Sequence, residues 1–527
     1  MQFIVTQEEM KRYDETTISQ YKVPALTLME RAALSVVEGH DFTNRERILV
    51  LCGSGNNGGD GFAVARLLLL QEKQVTVLFC GKKEHLSESC RIQWEIFENY
   101  AKTLNQTDPI VTQWPEAAYD IVIDAIFGIG LNRDISGTVA EVIEKANRME
   151  ALRIAVDIPS GVDADTGQIH GCAFKADVTD TFAFRKRGLL LYPGALYSGK
   201  VRCHDIGITK ESFLGKEPVA FSYEPEELSL LPHRDPAGNK GSFGKIGFFT
   251  GCASIGGAAI LSASAAYHMG SGYVRVVTHE NTRAGMLSQI PEAVVSYYKE
   301  EMTTSEKISL CDKVIQNSDV LAIGAGIGTD EWAGEMTEYV LKCDGKPIVA
   351  DADACNLIAA DERLKQGLKD MAGVRRYPLI LTPHLAEFSR LSGVQVAQLK
   401  KDLPRHVMQF AKEYGVILAA KDAVTLVSDG KRLYMNGSGN DGMATAGSGD
   451  VLFGMIASLT GQGMEAFEAV CLCVYLHGLC GDLVRKETNA RFMTASDLIG
   501  GLKKMDIRYL NEMKKVPVCA PEMDGGV

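Results

Sequence analysis

The chain has no C-x-x-C pair among its 13 cysteines, and only Cys471 and Cys473 sit close together. An odd, unpatterned count excludes a disulfide framework and the usual zinc spacing, and it fits thiols kept reduced in a cytoplasm. A basic excess is missing too. With 67 acidic against 55 basic residues the formal net charge is -12, the wrong sign for a partner whose phosphate backbone demands a basic face, so no nucleic acid is expected. Nucleotides remain admissible because backbone amides and metal suffice to bind them. The most apolar long segment, 469–484, holds His477 and Asp482 and is too short to span a bilayer, so it is expected to be a buried helix. The opening residues, MQFIVTQEEMKRYDE, turn charged before the apolar stretch of a secretory leader can form. These absences predict a soluble, cytoplasmic protein without a membrane partner.

What is present is length and alternation. At 527 residues the chain exceeds what one core can organise. Helical pattern over 7–40 gives way to a strand at 47–52, a glycine loop at 53–61 and a helix at 62–72; further strand-like runs fall at 75–80, 120–127, 152–158 and 176–184. Strands alternating with helices predict a three-layer α/β domain around a mostly parallel sheet, Rossmann-like, with its ligand at the carboxyl ends of the strands. A second series of strands at 245–250, 273–278, 319–323, 347–351, 379–382, 416–420 and 424–427 predicts a second three-layer α/β domain. Between the two, Pro218, Pro225, Pro232 and Pro236 punctuate a stretch of weak pattern that reads as a linker. The expected division is a first domain at 1–214, a linker at 215–235, a second domain at 236–515 and a tail at 516–527.

Chemistry concentrates first at 437–463, GSGNDGMATAGSGDVLFGMIASLTGQG. Glycines let the main chain approach a ligand, and a helix beginning near Val451 would present unpaired N–H groups and a positive dipole end to phosphate. Asp450 at that mouth repels phosphate unless it has a task, such as taking a proton from a hydroxyl that attacks the phosphate. The plainer alternative is a glycine-rich turn with Asp450 as a simple N-cap. The polar loops around GAGIG at 324–328, Asp351 and Asp353, TPHLAE at 382–387 and KDAVT at 421–425 fall at strand ends as well. Together with GSGD they describe a nucleoside triphosphate site, with a lysine loop for the nucleotide, an anion hole at 446–449 and an acid at the transfer point. In the first half the strand-end rule gathers three loops: Asn56 to Gly61, Asp124 with 128–134, and Asp157 with Pro159, Ser160 and Gly161. The glycine spacing after the first strand is near the dinucleotide fingerprint, but Asn56 and Asn57 break it and no ribose-binding acid follows. Such side chains suit a monovalent cation or the amide and hydroxyls of a ligand instead.

CGSGNNGGDGFAVARLL, with IDAIFGIGLNRDISG and AVDIPSGVDADTG, resembles the NAD(P)H-hydrate epimerase domain over nearly all of 1–214. The resemblance implies a hydrated nicotinamide nucleotide against Asn57, Gly58, Gly59, Asp60 and Gly61 and against Gly128, Ile129, Gly130, Leu131, Asn132, Arg133 and Asp134. It also implies K+ near Gly58, Asp124 and Ser160, and Asp157 as the acid that binds substrate and moves a proton. GMATAGSGDVLFGMIASLTGQG, preceded in order by GAGIG, VADADACNL, TPHLAEFSRL and KDAVTLV, resembles the ADP- or ATP-dependent NAD(P)H-hydrate dehydratases, relatives of ribokinase, over about 220–510. There the resemblance implies that Lys421, Asp422, Ala423, Val424, Thr425 and Gly449 bind the adenine nucleotide with Mg2+, and that Ala258, Gly326, His384 and Asp450 face the hydrated cofactor, Asp450 as catalytic acid-base.

The sequence departs from the dehydratase pattern at Leu385 and Ala386 after the histidine, at Asp422 after the lysine, at Asp441 after Asn440, at Asn239 before Lys240 and at Cys252 in the first loop. Two acids near a polyphosphate are expected to weaken nucleotide affinity or alter the choice of donor. The two resemblances imply one repair enzyme for NADH and NADPH hydrates that epimerises R and S forms at C6 and dehydrates the S form. The fused form leans to ADP as donor, and assembly into a homo-oligomer is expected. The competing reading is a ribokinase-like kinase of a small alcohol carrying a non-catalytic N-terminal binding module.

Overall fold

The protein is described from a computed structural model, which covers residues 1–106 and 108–505. The expected end of the second domain at 515 and the tail at 516–527 lie outside the described residues. The chain forms two compact units, Gln2–Ala220 and the part from Phe221 onward.

The N-terminal unit contains strands β1 (Gln2–Val5), β2 (Arg47–Cys52), β3 (Gln74–Phe79), β4 (Ile110–Val111), β5 (Ile121–Ala125), β6 (Leu152–Val156), β7 (Val178–Phe182), β8 (Arg185–Lys186) and β9 (Lys200–His204). Seven of them form one parallel sheet in the order β4-β3-β2-β5-β6-β7-β9. Alternate residues of one strand serve opposite faces: Ile48 and Val50 join one apolar cluster, Leu49 and Leu51 another. The sheet is therefore buried on both sides, as parallel strands require. After β2 the order runs one way to β3 and then returns to the other side of β2 with β5, so a crevice opens between their carboxyl ends. Leu51 is in register with Asp124 there, and Cys52 with Ala125.

Two expectations change. The helical pattern at 7–40 is two helices, Gln7–Ser19 and Ala25–Glu38, because Lys22 turns left-handed (φ 59°) and Pro24 opens the second. The glycine loop at 56–61 is not a loop but the start of the helix Asn56–Leu70. Glycine disfavours helix by about 1 kcal/mol per residue, and here tertiary packing overrides it. A Cβ on Gly59 would come within 2.8 Å of Met29 and 3.1 Å of the Cys90 backbone, and one on Gly61 within 2.6 Å of Ala125 and 2.8 Å of Cys52. Side-chain-free residues let this helix lie directly on the sheet and on two neighbouring helices.

The C-terminal unit contains β11 (Lys245–Phe249), β12 (Tyr273–His279), β13 (Val294–Tyr298), β14 (Val320–Ile323), β15 (Ile348–Ala350), β16 (Leu379–Leu381), β17 (Ile417–Ala420), β18 (Leu426–Ser428) and β19 (Leu433–Met435), with β10 (Ala220–Ser222) at the boundary. From β13 to β17, in the order β13-β12-β11-β14-β15-β16-β17, pairing is parallel, and β18 and β19 follow antiparallel. Its order also reverses at the first strand, between β12 and β14 around β11. The helix Ala466–Glu487 is long and apolar enough to cross a membrane by composition, yet it is mostly buried inside this unit's core.

The helix Ser448–Gly461 is buried along nearly its whole length and packs on Gly257–His268. Their contact depends on Gly454, where a Cβ would lie 2.2 Å from the Ser262 carbonyl oxygen. Replacing Gly454 by alanine gains up to about 1 kcal/mol of helix propensity but forces the helices apart. Overpacking of this kind costs about 1–3 kcal/mol. Gly454→Ala is expected to lower the denaturant midpoint of this unit, read by circular dichroism.

Candidate active sites

A cavity of about 600 Å³ opens at the crevice of the N-terminal unit. Of the residues singled out from sequence, Asn57, Asp60, 128–133 and Asp157 line it. Gly58, Gly59 and Gly61 are buried outside the lining, Gly58 against the Gly53 backbone and the other two where the helix packs on its neighbours, and Asp134 also lies outside it, with its carboxylate 3.8 Å from His170 Nδ1. The first N–H to close the ladder of the helix Asn56–Leu70 is that of Gly59, onto Gly55 O at 3.2 Å. The N–H groups before it remain available to an anion. Asn57 Nδ2 is buried and has no partner among the described residues, a donor suited to an oxygen of a ligand.

Asp124 lies at the end of β5, fully buried. Its carboxylate accepts from the Ser160 backbone N–H at 2.7 Å, the Ser160 hydroxyl at 2.7 Å and Ile126 N–H at 3.2 Å. Ser160 Oγ in turn accepts from Phe127 N–H at 2.8 Å, which pins the start of the loop over the cavity. Burial pushes Asp124 up to about 6 against the pull of those hydrogen bonds.

Asp157 follows β6 in a left-handed conformation, φ 67°, and its N–H donates to Asp180 O at 2.8 Å. Its carboxylate accepts from Thr181 Oγ1 at 3.1 Å, Phe182 N–H at 3.3 Å and the Lys186 ammonium. Lys186 Nζ also donates to Thr181 Oγ1 at 2.9 Å and Phe182 O at 3.0 Å, and its side chain is 1% exposed. Sequence reasoning missed Lys186, which stands in a charged run that reads as surface. It also missed Asp14, on the cavity wall. Spacing carried a signal for the latter, since Asp14 falls four residues after buried Met10 and beside buried Tyr13.

In the C-terminal unit the residues read as a site leave the ends of four adjacent strands: Gly324 after β14, Asp351 after β15, Thr382 after β16 and Lys421 after β17. His384 and Lys421 bridge as neighbouring strand extensions. Lys421 Nζ lies 2.7 Å from Asp351 Oδ1 and only 3.2 Å from where a Cβ on Gly449 would stand. Burial works against the Lys421 charge, but Asp351, with help from Glu387, holds the ammonium above the usual lysine range. The amine expected for the nucleotide is thus committed to Asp351, and the pair sits directly under the start of the helix Ser448–Gly461.

That helix begins at Ser448, with left-handed Gly447 (φ 88°) as its N-cap. Asp450 therefore lies in the first turn and is not itself the N-cap. Val451 N–H is bonded to Gly447 O at 3.1 Å, leaving the N–H groups of Gly449 and Asp450 for an anion. Burial, then the charge of Asp351, opposed by Lys421 and reinforced by Asp353, pushes Asp450 up to about 6. Beneath the turn Ser448 Oγ is 3.4 Å from His477 Nε2, and burial followed by Lys421 lowers His477 to about 4, keeping the ring neutral.

His384 is the N-cap of the helix Leu385–Ser392. Its Nδ1 accepts from Ala386 N–H at 3.1 Å and Glu387 N–H at 3.3 Å, while its Nε2 is 3.2 Å from Glu387 Oε1. These contacts assign the proton to Nε2. Gly326 (φ 65°) packs on Ala258, with a Cβ there only 2.9 Å from the alanine's. Two of the departures from the expected pattern, the added acids, also have partners. Asp422 is 3.8 Å from Lys400 Nζ, and Asp441 is 3.1 Å from Arg485 Nη1. Both pairs are exposed to solvent, so each cation offsets only a small part of the repulsion expected toward a polyphosphate.

Each of the two α/β units carries a buried acid at the carboxyl edge of its sheet near a helix start, an arrangement suited to a phosphorylated ligand. Residues 25–188 match the family described as YjeF-related protein N-terminus, and residues 246–504 match the family described as NAD(P)H-hydrate dehydratase. The chain is 35% identical to the bifunctional NAD(P)H-hydrate repair enzyme of Moorella thermoacetica, covering 98% of this chain and 99% of that one. It is 33% identical to the enzyme of the same description from Escherichia coli, covering 87% and 84%. Among solved structures, the ADP/ATP-dependent NAD(P)H-hydrate dehydratase of Bacillus subtilis, co-crystallised with ATP and Mg2+, aligns with a TM-score of 0.46 at 28% identity, covering 54% of this chain and 97% of that one. The chain belongs to the family of bifunctional NAD(P)H-hydrate repair enzymes.

Proposed function

We propose that the protein restores hydrated NADH and NADPH, its N-terminal unit interconverting the R and S hydrates at C6 and its C-terminal unit dehydrating the S hydrate with ADP or ATP. The observation that carries this reading is the match to the bifunctional family along nearly the whole chain, with the acids of both halves, Asp157 and Asp450, in place at strand-edge sites.

In the C-terminal unit Asp450 takes the proton of the C6 hydroxyl as that oxygen attacks the terminal phosphate, and the amides at Gly449 and Asp450 receive the charge that develops. The oxygen then leaves C6 as orthophosphate, pushed by the N1 lone pair, and loss of the C5 proton restores the ring. Lys421 carries the adenine nucleotide's site through Asp351 and Gly449, and residues 422–425 form its adjoining loop. Ala258, Gly326 and His384 shape the side facing the hydrated ring. Asp351 and Asp353 both act on Asp450, and their hard carboxylate oxygens are of the kind that fit Mg2+. Bound there, Mg2+ would supply charge neutralisation of the phosphates.

In the N-terminal unit Asp157 moves a proton at C6, with Lys186 keeping its carboxylate oriented. The N–H groups at Asn56 to Gly58 and the Asn57 amide hold the nucleotide beside 128–133. The donor set of Asp124, Ser160 and the backbone at Gly58 is all oxygen. A buried carboxylate that receives only neutral donors fits a monovalent cation such as K+, which would supply the missing countercharge. The twelve cysteines in the described residues are all free thiols, in support of a reducing, cytoplasmic compartment. Assembly into a homo-oligomer is part of the same proposal.

The test incubates purified protein with mixed R and S hydrates and each nucleotide in turn, following both epimers by chromatography. Consumption of both epimers with recovery of the reduced-ring absorbance and release of orthophosphate is expected. A stable phosphomonoester in place of orthophosphate would overturn the reading in favour of a kinase.

A further inference from the structure

Inversion at C6 needs two proton carriers, and Asp157 is only one. The C6 hydroxyl is attached to the carbon bonded to N1, so the N1 lone pair expels it once the departing oxygen is protonated. The C6–O bond breaks, an N1=C6 iminium forms, and water adds from the opposite face with loss of one proton. One group must therefore give a proton and another must take one.

The cavity wall carries three carboxyls, Asp14, Asp60 and Asp157, with Lys186 among them. Asp157 is fixed by three donors, the Lys186 ammonium included. Asp60 lies two residues from Gly58, whose backbone is assigned to the cation, and is left aside. Asp14 reaches the cavity from a different element, the helix Gln7–Ser19, and among the described residues its carboxyl takes no hydrogen bond, so nothing in the protein competes for it.

We propose that Asp14 is the second catalytic residue of the epimerisation, the acid that protonates the departing C6 hydroxyl, while Asp157 receives the proton of the water that replaces it. The assignment rests on the reading of the N-terminal unit as a hydrate epimerase. Its electrostatics agree. Burial, then the charges of Glu15 and Asp157, opposed by Lys186, hold Asp14 above the usual carboxylate range. The charged groups around it are Glu15 on its own helix, Lys11 and Arg133 on the cavity wall, and Asp60, Asp157 and Lys186 across it. One inversion moves a proton from Asp14 to Asp157, releases the old oxygen as water and installs the oxygen of a second water. The opposite epimer runs the transfer backwards and resets both groups.

The experiment uses the full chain with R hydrate and no nucleotide, so that dehydration does not drain the product, and reads S hydrate above the uncatalysed rate. Asp14→Asn is expected to lower kcat by about 10²–10⁴-fold, the usual contribution of a positioned acid, with KM changed less than about threefold. Asp14→Glu is expected to recover part of the loss. Wild-type turnover is expected to fall as pH rises and Asp14 loses its proton, a limb missing from the residual activity of Asp14→Asn. In H2¹⁸O each catalysed inversion should place one ¹⁸O at C6. A kcat retained in Asp14→Asn, a loss confined to KM, or inversion without ¹⁸O would each overturn the proposal. Should Asp14→Asn fail to fold, the glutamate variant and the isotope result in wild type decide. Absence of any wild-type inversion would instead strike the epimerase reading itself.

Discussion

Asp450→Asn is expected to abolish dehydration of the S hydrate, by at least about 10³-fold in kcat, the range for removing a general base from a phosphoryl-transfer site. The variant keeps the shape of the turn, and the N–H groups of Gly449 and residue 450 still face an anion, so nucleotide binding measured by calorimetry should persist. The wild-type pH profile carries the same assignment. Asp450 is raised to about 6 by burial and by its acidic neighbours, so its carboxylate is available above that value and is lost as pH falls through it. Dehydration should therefore decline on the acid side with a midpoint near 6, and the decline should be absent from the residual activity of the asparagine variant. Turnover retained in Asp450→Asn would remove this aspartate from the mechanism.

Asp157→Asn should separate the two activities. With ADP or ATP present the S hydrate is still consumed, while the R hydrate persists apart from its uncatalysed inversion, a fall of about 10²–10⁴-fold in the epimerisation rate. The variant also leaves Lys186 as a buried ammonium without its counter-charge, and breaking a buried pair from one side costs about 3–5 kcal/mol. Two effects are thus expected, a lost rate and a lowered stability of the N-terminal unit. They are told apart by adding Lys186→Met, which removes the stranded charge: stability should return and epimerisation should not. Epimerisation at the wild-type rate in Asp157→Asn would refute the role.

The alternation of strands and helices made both sheets legible from sequence, because buried parallel strands are short, apolar and bounded by turns. β2 runs over the very residues expected, 47–52. Strands without that signature were missed. β4 and β8 are two residues each, and β9 (KVRCH) is partly exposed along its length. The glycines at 59 and 61 were read for their backbone alone, and local pattern did not show that their missing side chains also let the helix pack on Met29, Cys90, Cys52 and Ala125. The positions of Asp157 and Asp450 were legible because one follows a strand and the other opens a helix. Lys186 and Asp14 were not, since the approach of the β8 region and of the first helix to the cavity is a long-range property that local pattern does not carry.

Asp157 occupies backbone territory in which glycine is at ease and a side chain adds about 1–2 kcal/mol of strain. Losing the carboxylate alone does not recover that strain as stability, because the buried Lys186 ammonium left behind costs about 3–5 kcal/mol, more than the backbone gains. The strained turn and its buried ammonium therefore stand or fall as a pair, so a heat-hardened descendant that keeps Asp157 for its proposed role must find its extra stability elsewhere in the chain.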